Sequence, residues 1–238
     1  MSASLSLTIT GSFIPAVPFT AKAETTDFPY TMFALSDADG AITLNADNYG
    51  INGKIATNGT VSAGESFDKE ILADEQVCAE MIYIPNKIEF DFFSSGSVNV
   101  IEGDYSVNEI NVNINSPVSV GGITELSGNI SLQSGIKSQD DIIIRGDVQN
   151  SGNTVIYSKY GNIDIDCTNV NLNGLIYAPF GNVHISAGNL NMNNAMIIAD
   201  TITIDTPNLN ANYSEHFGKY FGEVSSHQRE EAAPGNSE

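Results

Sequence analysis

Ile156–Gly174 reads IYSKYGNIDIDCTNVNLNG and Ile176–Asn194 reads IYAPFGNVHISAGNLNMNN. The two stretches align without a gap at a shift of 20 residues. Gly161 falls on Gly181, Ile165 on Ile185, and Asn169-Val-Asn-Leu-Asn on Asn189-Leu-Asn-Met-Asn. A third copy, Ile197–Asn212, follows after the loss of two residues before Thr201, and Ile136 stands another 20 residues upstream of Ile156. In that earlier copy Ile142–Ile144 take the place of Ile163–Ile165, and Tyr49–Ala63 resembles Val170–Ile185. Repeats of this length, built from short alternating strands separated by Gly, Asn and Pro, indicate a β-solenoid.

Each copy carries three short apolar stretches: Leu175–Tyr177, Val183-His-Ile185 and Leu190-Asn-Met192 in the second. Alternation sends Val183 and Ile185 to one side and His184 to the other. One coil cannot bury its own inward side chains. Coils stacked about 4.8 Å apart turn each position into a ladder and pair each backbone group with the coil above or below. The expected inward columns are Ile136/Ile156/Ile176/Ile197, Ile144/Ile165/Ile185/Ile204 and Val170/Leu190/Leu209. Asn169/Asn189/Asn208, Asn171/Asn191/Asn210 and Asn173/Asn193/Asn212 recur in the same frame. Stacked amides hydrogen-bond along such an axis, so these asparagines read as structural, with a glycan-binding face as the alternative. The fold expected is all-β: a right-handed parallel β-helix of coils near 20 residues, stacked from about Ile42 to Tyr213.

Two stretches break the pattern. Residues 65–93 lose the repeat and form an insertion; Val77–Ile88 reads as a short helix or irregular segment that Pro85 ends or kinks. Near the other end, Phe217, Tyr220 and Phe221 stand at i, i+3 and i+4 within residues 215–222, a helical stripe expected to cap the last open coil. Residues 223–238 are polar and read as a disordered tail, leaving one domain over 24–222. Ahead of it, residues 1–23 hold an uncharged apolar run from Leu5 to Phe19 and then Ala21-Lys-Ala23. That resembles a signal peptide without its basic start; a strand-like arm is the alternative. Outside this stretch no apolar run approaches the roughly 18 residues of a membrane span.

The 238 residues carry 9 Lys+Arg against 29 Asp+Glu, a net charge of −20. So few scattered cations disfavour nucleic acid and anionic lipid as partners. Only 16% of residues are charged, and 26 asparagines supply much of the polarity. Two cysteines exclude a disulfide-dense scaffold and a four-cysteine zinc site.

Ser158–Ile204 with Pro207–Tyr213, together with Asp27-Phe-Pro-Tyr-Thr-Met-Phe33 and Asn52-Gly53…Asn58-Gly59, resembles a β-solenoid module of secreted and cell-surface proteins of anaerobic Firmicutes. The likeness spans about Asp27 to Gly222. It implies an extracellular, secreted or surface-bound location and no established catalytic residues.

The candidate chemistry is thin. Asp164 and Asp166 share one outward strand face, about 7 Å apart for an i, i+2 pair. They read as solvated surface, with a weak Ca²⁺ site or a carboxylate pair for glycoside hydrolysis as the alternatives; no other cofactor is indicated. Asp140, Asp141, Arg145 and Asp147 are the nearest match to the acid–base groups of a β-helical polysaccharide lyase or hydrolase, but salt bridges at turns explain them better. Arg145-Gly-Asp147 reads as a plain turn, and Ser134-x-x-Lys137 sits on a strand where an acyl-enzyme serine would need a helix. His184, His216 and His227 share no ligand spacing. Cys167 reads as a small core residue, with a bridge to Cys78 as the less favoured option. The function these observations favour is a non-catalytic extracellular structural or adhesive module meeting glycans or other surface proteins. A carbohydrate-active enzyme is the alternative, and end-to-end self-assembly through uncovered terminal coils is a third reading.

Overall fold

The computed structural model describes residues 28–72, 85–94, 97–150 and 152–221. The signal-peptide expectation, the polar tail, Cys78 and His227 all fall outside these residues. The chain forms a β-solenoid of about eight turns in which every strand pairing is parallel. The repeat frame read from the sequence is the register observed. Ile136 pairs with Ile156, Ile156 with Ile176 and Ile176 with Ile197. Ile144, Ile165, Ile185 and Ile204 form the second column, and Val170, Leu190 and Leu209 the third. All three columns belong to one continuous buried cluster inside the stack.

The order of the coils differs from the order of the chain. Six coils follow one another, over 97–114, 115–132, 133–150, 152–172, 173–193 and 194–213. The seventh is N-terminal: Met32 pairs with Ile197, Ile42 with Ile202 and Asn48 with Asn208. Residues 53–72 add the eighth, with Ile55 beside Met32 and Val61 beside Ile42. Residues 28–72 therefore stand at the end of the stack opposite coil one. Self-similarity shows that coils are interchangeable, which is why it gives their register and not their sequence along the axis.

In coils four to seven the wall made by the first strand is buried on both sides. Thr154–Ser158 is buried throughout, and Val155, Tyr157, Leu175, Tyr177, Met196, Ile198 and Phe33 lie outside the solenoid core in a second cluster. Strands covered on both faces read as continuous apolar runs, as Leu175-Ile-Tyr-Ala and Met196-Ile-Ile-Ala do. Two helices supply the cover: α1 (Pro85–Phe93) with Ile88, and α2 (Glu215–Phe221) with Phe217 and Phe221. They also pack on each other, Phe92 stacking on Phe217 with ring centroids 5.8 Å apart. Burial first, and then a hydrogen bond to Asp91, push the Tyr220 hydroxyl up to about 12.

Two expectations change here. Pro85 opens α1 rather than ending a helix, because the first helical position needs no backbone N–H. The 215–221 helix forms with Phe217 and Phe221 buried, but it lies on the flank; the end of coil six is occupied by coil seven.

Candidate functional site

The second strand of each coil presents two outward positions, and the coil spacing sets neighbouring copies side by side. The first position runs Ile143, Asp164, His184, Thr203, Thr43; the second runs Arg145, Asp166, Ser186, Asp205, Asn45. The side chains join diagonally across these rows. Arg145 binds Asp164, His184 Nδ1 lies 3.0 Å from the other Asp164 oxygen, and His184 Nε2 lies 2.9 Å from Asp205. The Asn45 amide donates to the second Asp205 oxygen at 2.6 Å. One polar chain thus spans five coils and crosses the junction between the C-terminal and N-terminal coils.

Burial opposes charge on His184, yet the hydrogen bonds to Asp205 and Asp164 outweigh it and raise its pKa above 6.5. Burial likewise pushes Asp164 up, but Arg145 and His184 hold it below 3.8. Asp205 is held below 3.8 chiefly by the Asn45 amide and then by His184. A raised histidine pKa stabilises the fold fully below 6.5 and loses that effect as pH rises through its folded value. Lowered carboxylates stabilise fully above 3.8 and lose that effect as pH falls through their folded values. The chain is therefore strongest between 3.8 and 6.5. Its side chains are 33–43% exposed, so each contact contributes under about 1 kcal/mol. The difference in melting temperature between wild type and His184→Ala should be larger near about pH 5 than near about pH 9. Equal differences at both would remove the ion-pair account.

Chemically, the arrangement supports holding more than turnover. A general base needs one imidazole nitrogen free for substrate, and both nitrogens of His184 face carboxylates. Asp164 is already bound by Arg145 and His184, and among the described residues no group of three or more His, Cys, Asp or Glu is placed to hold a metal ion. Asp166 is exposed and lies outside the chain of contacts.

The candidate quartet is divided. Asp141 accepts the backbone N–H of Asn162 at 2.7 Å, and Asp147 accepts that of Asn169 at 2.9 Å. Each carboxylate secures a turn of the next coil. Gly146 between Arg145 and Asp147 has φ 120°, the turn expected there. Lys137 sits on the strand Ile136–Ser138 and pairs with Glu89 of α1 at 3.2 Å. Cys167 is a buried free thiol aligned with Ala187; burial above all pushes its pKa up to about 11.

The third wall carries the asparagine ladders. Asn191 bonds to Asn171 at 3.2 Å, Asn210 to Asn191 at 3.1 Å and Asn212 to Asn193 at 3.2 Å. Asn48 continues the 169/189/208 ladder into coil seven at 3.0 Å. Near coil one the same wall holds an open concavity of 570 Å³ lined by Asn111, Asn113, Asn129, Ile130, Ser131, Asp147 and Gln149. Its lining is mostly amide, with a single ionisable side chain.

His184 and Asp205 were not recognised from the sequence as members of a site, although the repeat frame places His184 beside Asp164, and Asp205 in the row of Asp166 with Ser186 between them. Asn45 could not be found that way, because its place depends on the coil order. Comparison with family models, with curated proteins and with solved structures finds no match to this chain.

Proposed function

We propose that this chain is a non-catalytic extracellular β-solenoid, a rigid spacer or adhesive module of a secreted or surface protein. The observation that carries it is the internal pairing of the outward polar groups. Asp141 and Asp147 hold turns, Asp164 and Asp205 hold His184, and the asparagines hold one another. Groups engaged coil to coil stiffen a rod and leave few free for an acid–base pair. The leader-like residues 1–23 and the likeness to secreted solenoid modules support export, and the acidic surface suits solubility outside the cell.

The test has two arms. Expressed with its leader, the chain should appear in the external fraction with Glu24 as its first residue; retention inside with an intact Met1 would refute export. Incubated with neutral and acidic polysaccharides, with and without Ca²⁺, it should yield no new reducing ends and no unsaturated products. Turnover that Asp141→Asn or Asp147→Asn abolishes, in a protein still folded, would establish the enzyme instead. Binding on a glycan array would identify the adhesive surface, and the Asn-lined concavity is the first place to substitute.

A further inference from the structure

The two ends of the stack are unlike. At coil eight, Leu72 bridges to Ile55, Phe67 tucks against Tyr49 with ring centroids 5.3 Å apart, and Lys54 Nζ donates to the Glu70 carbonyl at 2.8 Å. Residues 64–72 thereby fold over that end. At coil one, Asn99–Ile101 pairs with Val118–Val120 and Tyr105–Ile114 with Thr124–Leu132. Neither strand has a second strand partner among the described residues.

The backbone of coil one shows which groups face outward. The N–H of Asn99 donates to Pro117, that of Tyr105 donates to Ile123, and the carbonyl of Ile101 accepts from Gly121. Alternate residues of a strand aim their peptide groups to opposite sides. Val100 and Ser106 therefore aim theirs away from coil two. Around this edge the core comes partly into the open. Ile101, Tyr105 and Val107 are only half-buried, whereas Val120, Thr124 and Leu126 in the next coil are at most 2% exposed. Val100 and Ile110 are 73% and 83% exposed. Edge strands are blunted by Pro, charge, bulges or shortness. Asn99–Ile114 has no Pro, Lys or Arg, and its blunting is acidic, Glu102, Asp104 and Glu109, with a register shift between Asn108 and Asn111.

We infer that this open face of coil one docks an extended, lysine- or arginine-bearing segment of another protein, which adds to the stack as a further strand. Strand addition satisfies the outward peptide groups, and alternate apolar side chains of the guest cover the half-open core. Charge selects the guest. No Lys or Arg occurs between Lys87 and Lys137, while Glu102, Asp104 and Glu109 lie on coil one and Glu125 on coil two. A second copy of this chain would bring the same negative rim and be repelled; a basic segment would be attracted. The inference rests on the coil order and holds whether or not the chain is extracellular.

The probe is a fluorescent peptide of alternating valine or threonine and lysine, matched to the 10 residues of Tyr105–Ile114. Titrated into the full chain, it should bind, and Ser106→Pro should weaken binding at least tenfold. The variant leaves net charge unchanged and removes an N–H that points away from coil two, so it should melt with wild type. Val100→Pro repeats the test on the other strand should Ser106→Pro fail to fold. Glu102→Gln with Glu109→Gln should flatten the salt dependence. No binding, or equal binding by wild type and both proline variants, would overturn the inference. Sedimentation showing wild-type dimers that Ser106→Pro dissolves would assign the edge to a second copy and overturn it equally.

Discussion

Ile165→Ala should lower the free energy of unfolding by about 2–5 kcal/mol, near the upper end for a buried isoleucine. The side chain is fully buried and sits in one column between Ile144 and Ile185. The ladders hold its neighbours at the coil spacing, so the walls cannot close over the missing atoms. A cavity that cannot relax is the expensive kind. Asp166, one residue on, faces solvent from the same strand, and Asp166→Ala should change stability by no more than about 0.5 kcal/mol. Urea denaturation of both variants reads the contrast. A loss under about 1 kcal/mol for Ile165→Ala would mean that the interior is not a closed, packed column.

The second large effect is expected at the first residue of the strand Gly174–Met192. Gly174 has φ 147°, and a Cβ placed there would stand 2.1 Å from the carbonyl oxygen of Thr154, with the Thr154 backbone carbon and nitrogen each at 2.9 Å. The obstruction is backbone of the adjacent coil, which the ladder fixes. Backbone strain alone costs about 1–3 kcal/mol, and the overlap adds to it, so Gly174→Ala should cost roughly 3 kcal/mol or more. Gly103 supplies the control: a Cβ there meets nothing within 4 Å. Gly103→Ala should be neutral or stabilising by up to about 1 kcal/mol. If the two alanines behave alike, the coils do not approach at Gly174 as closely as described.

These effects show why so much of the fold was legible. A solenoid writes its core as a column of like residues at a fixed shift, and Ile136, Ile156, Ile176 and Ile197 can be aligned without knowing any angle. The asparagine ladders were legible for the same reason. Besides the order of the coils, three things were not. The double burial of the first wall is written in Tyr157 and Tyr177, whose place in a continuous apolar run makes sense only once α1 and α2 lie over that wall. The covering role of α2 was misplaced because its apolar stripe fits an end or a flank equally well. The Arg145–Asp164–His184–Asp205–Asn45 chain needs diagonal contacts between unlike residues, and a search for repetition passes over such pairs.

The position of the N-terminal coils also has a consequence for how the molecule is made. Residues 28–72 are synthesised well before the surface they stack on, Met196–Asp205 and Asn208–Asn212. Two coils alone fall short of the three or so that a repeat array needs for stability. They must wait as unfolded chain until the final coil exists, which is a slow, long-range closure. A product that stops before Met196 would lack that template and keep those strands exposed to proteases, so resistance should arise only once residues 196–212 are present.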